Sequence, residues 1–565
     1  MIPEFHPVWP SFIAALLMPV TRGALRKAIL LAAPVIGGLQ FFGMELDVSR
    51  HMTLMGLELT PYRADSLSFI FGIAFHIGAF LSILFALKVR DTLQQICGLL
   101  YVGAALGVVF AGDFLTLFIQ WELLGLTSAG LIFASRTPEA VANGLRYLIY
   151  QVLSGVMLTA GALMLWLNTG ELSFEAMELG SAATWFVFLA FGIKAGFPLL
   201  HNWIPDSYPA GTPTGSVFLC IFTTKAAIYA LARGFPGTEL LIYIGATMAF
   251  FPIFYAIIEN NLRRVLSYSI INQLGFMLVG VGIGTELALN GTAAHAFAHI
   301  IYKSLLFMSM GAVLQQAGTV SAVKLGGLYR RMPWTATFCI VGAASISAFP
   351  LLSGFVSKAM IMTALVQTDH VFIWLVMLFA SAGVLEHAGI KIPYFGFFAD
   401  SGQARPESVQ NAGEAPLNML VAMGLGAFLC IAIGVWPQGL YALLPYGGDY
   451  WPYEMGHVVT QMQLLFFATL AIVWMHRSGR YPAEIPSTNL DADWLTRRLV
   501  PGFARRAHAR MAAVYERLGN GIWQAGSTLI MRSVDRGLGR AWSVSGMVLW
   551  ALAVFTAVLI VGLRY

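Results

Sequence analysis

Apolar stretches of about 18 to 25 residues recur along this 565-residue chain with scarcely a polar loop between them. At 1.5 Å per residue such a stretch crosses the roughly 30 Å of a bilayer's hydrocarbon. They fall near 7–20, 26–43, 66–88, 93–111, 113–134, 142–168, 182–199, 214–234, 239–258, 265–285, 290–315, 334–364, 371–393, 416–437, 458–475 and 545–562. An all-α polytopic membrane protein of about sixteen spans is the expectation, because in hydrocarbon a helix satisfies its own backbone donors. With 11% charged residues the chain cannot cover a single soluble core with polar surface. A net charge of +5 is too even a balance for nucleic-acid binding.

The basic residues test this map, since inside loops of membrane proteins collect Lys and Arg. Of the 33, the map places 25 in inside loops, among them Arg22, Arg26, Lys27, Arg263, Arg264, Lys391 and eleven arginines from Arg477 to Arg540. Arg50, Arg63, Arg233 and Arg564 fall outside. The first span is followed, not preceded, by its basic cluster, so it reads as a retained helix rather than a signal peptide, with the N-terminus outside. Lys194, Lys225, Lys303 and Lys358 are left, each within a span. A lysine at membrane depth costs on the order of 3 kcal/mol to insert, so four of them imply function rather than snorkelling to the headgroups.

Among acids, Glu122 in LFIQWELLGL is the clearest intramembrane case, and a buried carboxylate calls for a partner among those lysines. The eleventh span reads HAFAHIIYKSLLF, setting His295, His299 and Lys303 at successive i, i+4 steps on one helix face. Histidine takes and releases protons near neutral pH, so the stripe suits proton relay. Two spans read as broken at membrane depth. The seventh has Gly196, Pro198, Pro205, Pro209, Gly211 and Pro213 after Lys194, and the twelfth has Pro350 and Gly354 before Lys358. Irregular backbone at that depth lines a cavity or is covered by protein, and paired broken helices point to a transporter repeat. Four scattered cysteines, Cys97, Cys220, Cys339 and Cys430, offer no metal or disulfide spacing, and no phosphate-binding glycine loop occurs, so neither metal nor cofactor is expected.

These residues resemble the antiporter-like subunits shared by Mrp-type multisubunit sodium/proton antiporters, respiratory complex I and membrane-bound hydrogenases. The likeness covers roughly residues 60–440 and is most specific in KAGFPLLHNWIPDSYPAGTPTGSV. It implies a proton relay in which Glu122 stands for the family's fifth-helix glutamate and Lys194 for the seventh-helix lysine. Lys225 would then be the bridging lysine, His295, His299 and Lys303 the eleventh-helix relay, and Lys358 the terminal group. The implied fold has about 14 core helices with two inverted five-helix repeats and broken helices 7 and 12, here followed by two extra C-terminal helices. The corresponding division is 1–90 for N-terminal helices, 91–236 and 237–395 for the repeats, 396–475 for C-terminal helices, 476–544 for an arginine-rich cytoplasmic segment and 545–565 for a last span. Lys358 where some relatives carry glutamate, Gln273 where complex I members often carry histidine, and Asn260–Asn261 where an acid is common pull toward the Mrp D-type subunit. Glu386, His387 and Lys391 give the thirteenth span an unusual polar end.

Within 476–544, Met511, Val514, Leu518, Ile522 and Leu529 recur at helical spacing, opposed by Arg510, Arg517, Gln524, Arg532 and Arg536, with Gly519 and Gly521 interrupting. A lateral helix on the membrane and a solvated appendage both fit. The expectation is a proton-translocating subunit of a cation (Na+)/proton antiporter in the bacterial inner membrane, surrounded by lipid and other membrane subunits. The alternatives are a pumping subunit of a complex I-like or hydrogenase redox assembly, and a subunit energising a partner such as an inorganic carbon transporter.

Overall fold

A computed structural model describes residues 6–399, 405–485, 489–492, 494, 502, 503, 505–507, 509 and 510. Its contacts separate two units, the larger holding Met1–Ser135 and Asn143–Asn489. The smaller holds Arg136–Ala142 with Leu490–Tyr565, and in it the first turn of one long helix and short helical stretches at 505–507 and 509–510 are described. The expected last span at 545–562 and the stretch from Met511 to Leu529 lie outside the described residues.

Helices α1 (Trp9–Leu17) and α2 (Gly23–Leu39) lead into a hairpin of β1 (Val48–Leu54) and β2 (Leu57–Ala64). Helix α1 has nine residues, about 14 Å of rise, so the stretch near 7–20 does not cross a bilayer as one helix. The hairpin is a β element in a chain expected to be wholly helical. Its strands alternate short polar and apolar residues too briefly to stand out beside the long apolar runs. Asp65 then caps α3 (Ser66–Phe85), its side chain accepting from Ser68 N while the Ser68 hydroxyl accepts from Asp65 N.

Next come α4 (Thr92–Phe110), α5 (Phe114–Phe133), α6 (Pro138–Thr169), α7 (Ala182–Ala195), α8 (Trp203–Ser207), α9 (Gly215–Leu219) and α10 (Thr223–Gly234). A similar series follows: α11 (Leu240–Phe250), α12 (Pro252–Ile258), α13 (Leu262–Ile283), α14 (Glu286–Ala317), α15 (Pro333–Ile346), α16 (Ser353–Gln367) and α17 (Val371–Val384). After α17 the chain widens into π-helix at Leu385–Ile390, passes one turn of α18 (Lys391–Pro393) and widens again at Tyr394–Phe398. It ends with α19 (Glu407–Gln410), α20 (Leu417–Val435), α21 (Gln438–Tyr441) and α22 (Met455–Arg477). Among the described residues twelve helices are long and apolar enough to span a membrane, and the chain is a multi-pass membrane protein. The thirteenth span runs to Phe398, which carries Lys391 inside it at 1% exposure rather than into a loop.

The two series share local devices. Ahead of α5, Asp113 bridges Ser173 beyond α6; ahead of α13, Asn261 bridges Ser321 beyond α14, both partners shifted along the chain by the same number of residues. Asp113 and Asn261 also cap the helices they precede. Both broken helices open on Phe-Pro-Leu-Leu, at 197–200 and 349–352. The amides of Phe197 and Phe349 each reach back five residues, to Gly192 and Ala344, at 3.0 Å in both. Leu199 and Leu351, each after a proline that cannot donate, sit left-handed at φ 71° and 70°. A leucine there costs of order 1–3 kcal/mol, so the same strain is held twice.

Candidate functional site

Lys194, Lys225, His295, His299 and Lys303 are fully buried and Lys358 is 4% exposed, so the lysines are core groups, not headgroup anchors. Lys194, in the last turn of α7, donates from Nζ to the Trp121 carbonyl at 2.5 Å and lies 4.6 Å from the Trp121 ring centroid. Glu122 is the next residue, and its carboxylate lies against Gly155 of α6, where no Cβ stands in its way. Glu122 and Lys194 act on each other electrostatically, but no ion pair within 4.0 Å joins them, and Glu122 Oε1 has no hydrogen-bond partner among the described residues. The expected pair is thus a near approach, with the lysine held by the neighbouring carbonyl.

Lys225 follows the interruption between α9 and α10, where Cys220 O lacks a helical donor. Nζ donates to that carbonyl at 2.5 Å and to Thr224 Oγ1 at 3.3 Å. Lys358 repeats the device: its Nζ donates at 2.9 Å to Ile346 O, the end of α15, and lies 4.9 Å from the Phe276 ring centroid. Broken helices supply the carbonyls, and buried lysines take them.

Between Lys225 and Lys358 stands the α14 stripe. Lys225 and Lys303 feel each other's charge, as do Lys303 and Lys358, and both ring nitrogens of His299 and Lys303 Nζ lack hydrogen-bond partners among the described residues. These groups can gain or lose a proton without first breaking a protein bond. His295, by contrast, is fully engaged: Nδ1 lies 2.9 Å from Ser357 Oγ and Nε2 lies 3.2 Å from Gln273 Oε1. Gln273 Nε2 donates to Asn272 Oδ1 at 2.6 Å, and Asn272 Nδ2 donates to Ala249 O, so the amide presents Oε1 to the imidazole. Tyr302 OH donates to the same Oε1 at 3.1 Å. Nε2 thus faces an oxygen acceptor, while Ser357 Oγ, beside Nδ1, also donates to Ser353 O at 3.2 Å and to Gly354 O at 3.4 Å.

The structure thus gathers Lys225, His295, His299, Lys303 and Lys358 into one buried line, with Glu122 and Lys194 at a separate place along α5 and α7. Sequence reasoning does not single out Trp121, Gln273, Asn272, Tyr302 or Ser357 as site residues. Their signal is weak there, since a lone amide or hydroxyl in an apolar run also bonds its own helix. Ser128 and Tyr147 hydroxyls, 2.7 Å apart, add a buried polar contact from α5 to α6, and Tyr101 OH, 2.7 Å from Thr223 Oγ1, one from α4 to α10.

Residues 111–383 match the family described as NADH:quinone oxidoreductase/Mrp antiporter, transmembrane. The D-type subunit of the Na(+)/H(+) antiporter of Alkalihalophilus pseudofirmus is 30% identical over 341 residues, 56% of this chain and 68% of that protein. The chain belongs to this NADH:quinone oxidoreductase/Mrp antiporter family. A second family relative, hydrogenase-4 component B of Escherichia coli, is 28% identical over 355 residues, 56% of this chain and 52% of that one, so the chain spans about half its length. The fold matches a chain in the structure of the Mrp complex from Dietzia sp. DQ12-45-1b with a TM-score of 0.77 and 22% identity, over 98% of this chain and 66% of that chain.

Proposed function

We propose that the chain is a proton-translocating subunit of a multisubunit monovalent cation (Na+)/proton antiporter. The observation that carries the reading is the buried line from Lys225 through Lys303 and the α14 histidines to Lys358, anchored at each end on carbonyls freed by broken helices. Ionisable groups at membrane depth mark ion pathways, and residues 91–236 and 237–395 read as two copies of one unit because they share caps, bridges and breaks. In the mechanism, movement of Glu122 relative to Lys194 releases a proton from that lysine. The proton passes by way of Lys225 to His299, Lys303 and His295, enters His295 at Nδ1, and reaches Lys358 for exchange with the outside. Water completes the gaps between side chains on separate helices. The basic-residue pattern supports an N-terminus outside and an arginine-rich segment within the cytoplasm of a bacterial inner membrane.

The D-type antiporter relative supports the cation-exchange assignment. Lys194→Ala and Glu122→Ala, assayed in inverted vesicles by a pH-sensitive dye, are expected to abolish transport while the complex still assembles. Normal transport in both would refute the path. The hydrogenase-4 component B relative favours a second reading, a pumping subunit driven by redox partners. Purification of the native complex separates the two: flavin or iron–sulfur absorbance supports the second, and a colourless complex the first.

A further inference from the structure

The thirteenth span carries three ionisable groups that the path above does not use. Where α17 gives way to π-helix, His387 is fully buried, feels the charges of Lys303, Lys358 and Lys391, and has no partner for Nε2 among the described residues. One turn on, Lys391 donates to Ile257 O, near the end of α12, at 2.6 Å and pairs with Glu484 Oε1, also at 2.6 Å. Glu386 is 8% exposed; Tyr481 OH donates to its Oε1, while its Oε2 has no partner among the described residues. Tyr481 and Glu484 belong to the segment that turns back after α22. There Gly479 sits at φ 67°, the amides of Arg480 and Tyr481 both donate to Met475 O, and the Tyr481 ring stacks on His476 with centroids 4.0 Å apart. Glu259, at the foot of the same cluster, is held by Arg264 at 3.7 Å and by Asn489 at 3.4 Å.

A structural tie between the thirteenth span and this segment would need the Lys391–Glu484 pair alone. It would not need a second buried carboxylate with an open oxygen, nor a fully buried imidazole within reach of the charge of Lys303. π-Helical widening is concentrated at functional sites, and here it occurs on both sides of Lys391.

We propose that His387, Lys391 and Glu484 form a second proton branch, leading from Lys303 to the membrane face where the segment after α22 folds back, with Tyr481 and Glu484 as its closing group. This rests on the proton-translocating reading above. The Lys391 ammonium passes its proton to the Glu484 carboxylate, giving a neutral pair, and Glu484 releases that proton to water when the segment lifts. Lys303 gives a proton to His387, and the resulting imidazolium reprotonates the Lys391 amine. One proton enters at Lys303 and one leaves at Glu484 per passage.

The test uses the assembled complex in inverted vesicles, with His387→Leu, His387→Gln, Lys391→Met, the double variant His387→Gln/Lys391→Met, and Lys194→Ala in parallel. The branch predicts at least a tenfold lower rate of dye-reported proton transport in each single variant, with assembled complex at the unmodified level on native gels. The double variant should be no slower than its slower parent, because both groups act in one series. Should His387→Leu fail to assemble, the polar His387→Gln decides. Unaltered transport in His387→Gln and Lys391→Met beside a dead Lys194→Ala overturns the branch alone. Unaltered transport in Lys194→Ala as well overturns the proton-translocating reading with it. Additive slowing in the double variant also overturns the branch, since independent structural damage multiplies.

Discussion

At the scale of single residues, the buried cations differ in what holds them. Lys194, Lys225 and Lys358 each take a backbone carbonyl, whereas Lys303 has no hydrogen-bond partner among the described residues. Arg263 sits at the start of α13 with 2% exposure, donating to Gly211 O at 3.0 Å and Thr212 O at 3.1 Å, so a residue assigned to an inside loop is a tertiary clamp. His295 is oriented through Gln273 and Ser357, which gives a direct prediction. Ser357→Ala removes the group facing Nδ1, and proton transport in vesicles is expected to slow by about tenfold, the equivalent of ~1.4 kcal/mol, without loss of assembly. Unchanged transport would show that Nδ1 is not the entry point.

At the scale of elements, helix contact rests on small residues. In α13, Gly275 faces Gly245 and Ala249 of α11 so closely that a Cβ would collide with backbone atoms. Such close approach is how helices associate where lipid offers no hydrophobic drive. Gly275→Ala should separate the pair and cost about 1–3 kcal/mol, read as a lower melting temperature of the purified complex. The breaks make the opposite prediction. Leu199 is 62% exposed and left-handed, so Leu199→Gly should relieve strain and stabilise by about 1 kcal/mol, with little packing lost. A lower melting temperature in that variant would mean the leucine side chain makes an essential contact.

At the scale of the whole molecule, the β hairpin ties the N-terminus to the later helices. His6 Nε2 lies 3.3 Å from Pro61 O of β2, and Thr60 N donates to Asp113 ahead of α5 at 2.8 Å. Burial pulls His6 from 6.5 down to about 4, against the opposing Pro61 carbonyl. Docked, the imidazole stays neutral, so this contact is at full strength above pH 6.5 and weakens as pH falls from there toward about 4, where an undocked N-terminus binds a proton that the docked one does not. Protection of the amides over residues 48–64 against hydrogen exchange, corrected for the intrinsic exchange rate at each pH, should fall between pH 7 and 5, and His6→Phe should remove that dependence. Glu484 lies beyond the last described span, and burial raises its carboxyl above the usual range, with the Lys391 ammonium opposing.

How much could be read without coordinates follows from the range of each interaction. The apolar runs mark out the spans, because crossing hydrocarbon is a local requirement of length and backbone satisfaction. The i, i+4 spacing of His295, His299 and Lys303 places them on one face for the same reason. Gln273 and Ser357, in contrast, matter through helices packed from far along the chain, and Trp121 matters through a backbone carbonyl that any residue would supply. The hairpin escapes notice because its strands are short beside the apolar runs, and Lys391 reads as the polar end of a span, counted with the inside loop, because nothing in its composition shows that π-helix carries the span on to Phe398. The sequence by itself determined that the chain crosses the membrane many times and which charges it carries there. Tertiary structure alone decided what each buried charge faces, because those partners are carbonyls and amides brought together across helices that no local pattern links.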